Sequence, residues 1–249
     1  MPIRYNDSKL ADSPFGSEII PGLKINDVEY KLDYTRIHNK WPLAKEGLPF
    51  VLIACAITVL LSLAGFYIIS IFTGILSLFV IFFFRDPERN HLTEHKTVLS
   101  PADGTILEVL SLNTGNPLDK PAIKVSIFMS VFNVHVNRIP ITGTIKKITY
   151  RPGKFFSANL DKASKYNESN TVILESTDSH KIAVIQIAGF IARRIVCWIK
   201  DGDHLEAGQR FGLIRFGSRL EVYLPANSRV TAQVRQKVRA GETIIGYLP

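Results

Sequence analysis

The chain has 249 residues, 46% of them apolar, with 30 Lys+Arg against 22 Asp+Glu. That length holds one large domain or two small ones, and the apolar share is that of a globular protein. Its two cysteines, Cys55 and Cys197, have neither metal-site spacing nor the numbers for a disulfide framework.

Residues 1–46 carry seven basic and seven acidic side chains, which cancel. Within them, residues 20–34 fit an amphipathic segment or a short β element equally well. Trp41-Pro42 reads as an anchor at a membrane–water interface. Residues 47–84 then run for 38 positions without Lys, Arg, Asp, Glu or His. This exceeds a core helix, begins too late for a signal peptide, and is too long for one span of about 20 residues. Two helices of about 18 residues fit, broken near Ala64-Gly65 or within 70–74, which would leave both flanks on one side of the bilayer.

Charge returns at Arg85-Asp86-Pro87-Glu88-Arg89. Arg85 and Arg89 suit lipid phosphates, or simple snorkelling at a helix end. Beyond Phe84 there are 23 basic and 15 acidic residues. That surplus places the following domain at the cytoplasmic face of the cell membrane, against anionic headgroups. Nucleic acid is set aside because no dense Lys/Arg stripe is interleaved with aromatics.

From Val98 onward short apolar or alternating runs are punctuated by Gly, Pro, Asn and Asp. They lie at 105–110, 123–129, 134–136, 143–150, 171–175, 182–187, 191–199, 211–216, 221–224, 230–234 and 243–247. Only 158–166 reads as a brief helix. Residues 85–249 are therefore expected to form one mostly antiparallel β domain. Glycine turns at 201–208 and 238–246 share a rhythm with barrel-sandwich hybrids, and no carrier lysine sits in either.

Three polar residues stand out. Within 215–225, which reads as a strand with a glycine in its middle, Gly217 precedes Ser218, whose hydroxyl can attack the Gly217 carbonyl if a base takes its proton. His135 sits in the apolar stretch 126–138, as a core histidine or as a group able to take and return a proton near pH 7. Asp103-Gly104 lies between two expected strands and reads first as a turn. An Asp, a His and a Ser can form a nucleophilic triad, although their order alone proves nothing.

The chain resembles the phosphatidylserine decarboxylases, in particular their short, archaetidylserine-decarboxylase-like branch. The resemblance rests on 84–89 (Phe-Arg-Asp-Pro-Glu-Arg), 100–104 (Ser-Pro-Ala-Asp-Gly), 126–138, 159–170, 186–189, 191–195 and 208–219, in order. It implies a membrane-bound proenzyme that cuts itself between Gly217 and Ser218. The two chains, 1–217 and 218–249, would stay together as a heterodimer, with Ser218 converted to a pyruvoyl group. That ketone takes the amine of a phospholipid substrate as a Schiff base, carbon dioxide leaves, and phosphatidylethanolamine is released.

The same resemblance gives Asp103 the task of orienting His135. His135 would be base for Ser218 before cleavage and proton donor to the substrate carbon afterwards. Some branches carry a second histidine three residues on, where this chain has Arg138. Arg138, Arg193 and Arg194 become candidates for the lipid phosphate or the serine carboxylate, or else solvated charges. No metal is implied. The competing readings are a membrane-anchored, lipid-binding β domain without catalysis, and a carrier-type hybrid domain, against which the missing lysine argues.

Overall fold

The computed structural model describes residues 37–90, 94, 96–154, 156–157, 164, 166–189, 194–215 and 217–249. The segment 20–34 and nearly all of 158–166 lie outside that range. The uncharged run forms two helices, α1 (Leu48–Leu63) and α2 (Tyr67–Phe83). Of the two expected breaks the chain uses the first, reversing at Ala64–Phe66 with Gly65 at φ +84°. A side chain is rarely found at such a φ.

The helices pair along their length, with the hydroxyls of Thr58 and Ser77 3.2 Å apart between them. Leu52, Leu60, Leu63, Ile68, Phe72 and Leu78 are among the apolar side chains left facing outward. Sixteen and seventeen residues correspond to about 24 and 26 Å, somewhat short of a hydrocarbon core of about 30 Å. With its lead-in turn, Lys45–Leu63 is long and apolar enough to cross a membrane, whereas Tyr67–Phe83 is shorter.

Both ends of the hairpin are rooted in the β domain. The Ala44 amide donates to the Phe84 carbonyl at 2.8 Å, and the Asp86 amide to the Pro42 carbonyl at 2.7 Å. Trp198 Nε1 donates to Glu46 Oε1 at 3.0 Å. Phe83 and Phe84 are wholly buried, and a Cβ at Gly47 would lie 2.3 Å from the Phe84 ring. The entry and exit of the hairpin are thus locked side by side.

The remainder is β, as expected. In chain order the strands are β1 (Thr97–Leu99), β2 (Gly104–Leu112), β3 (Ala122–Met129), β4 (Val136–Arg138), β5 (Gly143–Arg151), β6 (Ser169–Ser176) and β7 (Lys181–Ala188). There follow β8 (Ile195–Cys197), β9 (His204–Leu205), β10 (Arg210–Ile214), β11 (Ser218–Pro225), β12 (Arg229–Val230), β13 (Lys237–Val238) and β14 (Ile244–Tyr247). An eight-stranded sheet runs β13-β2-β3-β11-β7-β6-β5-β9, curled into a half barrel. Two three-stranded sheets, β1-β14-β12 and β4-β10-β8, complete the domain.

β11 is hydrogen-bonded on both sides, to β3 from Ser218↔Met129 to Pro225↔Ala122 and to β7 from Ser218↔Ala188 to Tyr223↔Ala183. Leu220, Val222 and Leu224 point into the core, as the period of two requires. On the opposite face Arg219 is buried between Glu108 (2.5 Å) and Glu221 (3.1 Å). Residues 215–225 are not the single strand that their alternation suggests. β10 ends at Ile214, β11 begins at Ser218 in a different sheet, and Gly217 at φ +63° is the reversal between them. A left-handed residue cannot continue a strand.

Candidate active site

The fold brings the Gly217 amide, one residue before Ser218, against His135. Ser218, at the head of central strand β11, is fully buried beside Met129 of β3 and Ala188 of β7. Its hydroxyl donates to Met129 Sδ at 3.4 Å, a weak acceptor that leaves the oxygen's lone pairs uncommitted. Met129 is steadied from beneath by a chain of buried amides. Asn170 donates to Gln186 at 3.0 Å, Gln186 to Asn137 at 2.8 Å, and Asn137 to the Met129 sulfur at 3.7 Å.

His135 is held by two contacts with distinct senses. Nδ1 lies 2.9 Å from the Asn133 carbonyl, and Nε2 accepts from the Gly217 amide at 3.3 Å. A carbonyl can only accept, so Nδ1 carries the proton and Nε2 is the free base. The Asn133 carbonyl is presented by a tight turn, in which Asn133 Oδ1 accepts from the Ser130 amide (2.9 Å) and hydroxyl (2.8 Å). The Phe83 ring packs 4.3 Å, centroid to centroid, from the imidazole. Burial pushes His135 down to about 4, against the pull of the Asn133 carbonyl and with help from the nearby Arg85 charge. The imidazole is therefore neutral at physiological pH.

Asp103 sits elsewhere than the triad reading requires. Its carboxylate accepts from Arg89 at 3.0 and 3.3 Å and from the Ala240 amide at 2.8 Å. Among the described residues the partner of His135 Nδ1 is thus a backbone carbonyl, and the direct Asp103–His135 bond is absent. Nor is Asp103-Gly104 a hairpin turn, because β1 pairs with β14 while β2 pairs with β3 and β13. Gly104 is there for contact, since a Cβ would lie 2.2 Å from the Phe128 carbonyl oxygen.

Arg138 is a buried clamp. It donates to the carbonyls of Gly208 and Pro87, both at 2.9 Å, and lies 3.6 Å from Asp86. Burial lowers it to about 10, aided by the charge of Arg210. It is not available to a substrate anion. Arg194 is exposed, its carbonyl accepting from the Arg215 amide at 3.2 Å. Arg193 lies outside the described residues.

Asn133, Met129 and Phe83 complete the setting of Ser218 and His135, and sequence reasoning gave none of them a role. Met129 and Asn133 lie inside the 126–138 stretch that carries the family resemblance. Phe83 was one aromatic among many in an apolar run, with no sequence signal to distinguish it.

A model of the phosphatidylserine decarboxylase family matches residues 76–246, more than two-thirds of the chain. The chain belongs to the phosphatidylserine decarboxylase family. It is 48% identical over 208 residues to the phosphatidylserine decarboxylase proenzyme of Geotalea uraniireducens, covering 84% of this chain and 97% of that protein. The Syntrophus aciditrophicus proenzyme is also 48% identical over 208 residues, covering 82% and 96%. The one from Desulfotalea psychrophila is 44% identical over 207 residues, covering 83% and 97%. Membership makes the chain a decarboxylase, and the readings without catalysis are not favoured.

Proposed function

We infer that this chain is a phosphatidylserine decarboxylase proenzyme that cleaves itself between Gly217 and Ser218 and then converts phosphatidylserine to phosphatidylethanolamine at the membrane surface. The observation that carries this reading is the 3.3 Å contact of the unprotonated His135 Nε2 with the amide of Gly217, at a junction where a left-handed glycine meets a buried serine.

His135 is neutral as a base must be, and Ser218 can turn from its weak sulfur acceptor toward the preceding carbonyl. Attack of Oγ on that carbonyl, with its proton passing to Nε2, exchanges the amide for an ester. Elimination from Ser218 then leaves a carboxylate on Gly217 and a dehydroalanine on the smaller chain. Water releases ammonia from the latter and leaves a ketone.

A pyruvoyl group fits the position because it keeps the three-carbon skeleton of the seryl residue, so the same buried space at the head of β11 holds it. When formed, it supplies the electron sink that no standard side chain offers for the electron pair left by departing carbon dioxide. Cleavage also changes His135. The new Gly217 carboxylate arises one residue's length from Nε2, and a nearby anion favours the charged imidazole. A base before cleavage becomes a proton donor after it. Asp103 acts at one remove, tying Arg89 and the Ala240 amide to the rim of the site.

The pairing of β11 with β3 and β7 keeps residues 218–249 in place as the smaller chain of a heterodimer. The apolar hairpin is the membrane-inserted element, with residues 85–249 as the catalytic domain at the cytoplasmic face of the cell membrane. The substrate headgroup then lies level with the Phe83–His135 contact. The test is decarboxylation of phosphatidylserine in detergent micelles by the purified protein. Carbon dioxide and phosphatidylethanolamine should form in equal amounts, and borohydride pretreatment should abolish both. Turnover that survives complete reduction would rule out the ketone.

A further inference from the structure

A cleft of about 430 Å³ opens at the foot of the hairpin, lined by Arg85, Arg89, Asp103, Val134, Arg239 and Glu242 among others. Most of its charge is already paired. Arg89 is bound to Asp103 at 3.0 Å and to Glu242 at 3.2 Å, and Arg239 reaches Glu242 at 3.7 Å.

Arg85 differs. Its Nη1 and Nη2 each donate at 2.7 Å to a backbone carbonyl, of Phe82 and Phe132, and its guanidinium lies 3.8 Å over the Phe82 ring. Among the described residues no carboxylate lies within ion-pair distance of it. Among the described residues two of its five N–H donors are used, which leaves three on a group held still by the ring and the carbonyls. Arg85 follows directly on the last turn of α2, and Val134 joins the cleft to His135.

We propose that Arg85 is the specificity residue for the phosphodiester of the substrate, holding it in this cleft while the serine head reaches position 218; this rests on the decarboxylase reading above. Two anionic groups of the headgroup compete for the role, and chemistry chooses between them. The carboxylate must lose its charge as carbon dioxide leaves, so a cation bound to it would stabilise the ground state and oppose the reaction. The phosphodiester stays anionic throughout and lies on the glycerol side of the headgroup, toward the lipid. Arg85 stands on that side, at the point where the chain leaves the hairpin. A planar fork with free N–H groups is also the geometry that phosphate oxygens accept. Arg138, committed to Gly208, Pro87 and Asp86, cannot take this role.

The experiment compares two amines that differ in the phosphodiester, glycerophosphoethanolamine and ethanolamine. Each is titrated into the mature full-length enzyme with borohydride, and the adduct on residues 218–249 is read by intact mass. The wild type should reach half-maximal trapping at roughly 10- to 100-fold lower glycerophosphoethanolamine than ethanolamine, the range expected of a charge-assisted contact. R85Q should bring the two concentrations together, and R85K should restore part of the difference through its charge alone. If R85Q does not accumulate, R85K still carries the comparison, with a preference reduced several-fold. Equal concentrations in the wild type, or an undiminished preference in whichever variant accumulates, overturns the assignment. A smaller chain that takes up neither amine overturns the ketone itself and this inference with it.

Discussion

Two buried polar clusters flank the base of the hairpin, and they are bonded in opposite ways. Around Asp86 the bonding is dense. Its carboxylate takes the Arg210 Nε at 2.9 and 2.8 Å and the Asn39 amide at 2.9 Å, with Arg138 at 3.6 Å. Arg210 and Arg138 face each other across β10 and β4, a repulsive pair that the carboxylate between them reconciles. Around Ser218 the bonding is sparse, with a sulfur for the hydroxyl and one amide for Nε2. Dense bonding fixes structure, whereas at the sparse site the Nε2 lone pair is held only by one long amide contact and the hydroxyl only by sulfur.

Substitutions on each side sharpen that contrast. Ser218→Ala should abolish cleavage altogether while leaving the fold intact, since it removes only a hydroxyl bonded to sulfur. Denaturing gels should show one uncut chain, and a split at the same bond would exclude Ser218 as the nucleophile. His135→Gln should slow cleavage by about 10² to 10⁴, the usual worth of a positioned base, followed as the rate of appearance of the smaller chain in freshly synthesised protein.

The pH dependence has a definite sign. Because burial holds the imidazole near 4, cleavage needing its neutral form should stay level from pH 8 to about 5 and fall only toward pH 4. A break near pH 6.5 would mean a solvated ring. The same depression makes the folded state bind fewer protons than the unfolded one below pH 6.5. Stability contributed by this group is therefore lost as the pH falls from about 6.5 to about 4.

Asp86→Ala should act on the other cluster, lowering stability by about 3–5 kcal/mol because Arg138 loses its buried counter-charge and Arg210 keeps only the exposed Glu88. Thermal or urea unfolding measures this, and cleavage by the folded fraction should persist. Loss of cleavage with unchanged stability would erase the distinction between the clusters. Gly217→Ala is expected to be mildest. A Cβ there meets nothing within 4 Å, so only the left-handed φ of +63° is penalised, by about 1–2 kcal/mol. Cleavage should continue roughly tenfold more slowly.

What could be read from the sequence follows the range of the interactions. The uncharged run and the period-two alternation act locally, so the hairpin and most strands are legible, with the turn narrowed to two places of which the chain uses Gly65. Gly217 and Ser218 stand out only through the ordered motifs around them, since a Gly-Ser pair by itself is an ordinary turn. The partners of Asp103 and Arg138 were not legible. Asp103 meets Ala240 and Arg89, and Arg138 meets Gly208 and Pro87, pairings set by how three sheets close on one another. A polar residue in a motif looks the same whether it clamps a loop or holds a substrate. The reading of 215–225 as one strand failed likewise, because alternation continues across a glycine whose dihedral no pattern reveals.

The most direct test of self-cleavage at Gly217–Ser218 is the intact mass of the purified wild-type protein under denaturing conditions. Two chains are expected, residues 1–217 ending in a free carboxylate and residues 218–249 blocked to Edman degradation. The smaller chain should be lighter than its serine-headed form by one ammonia. A single species at the full 27.9 kDa, or a smaller chain with an intact N-terminal serine, would contradict it.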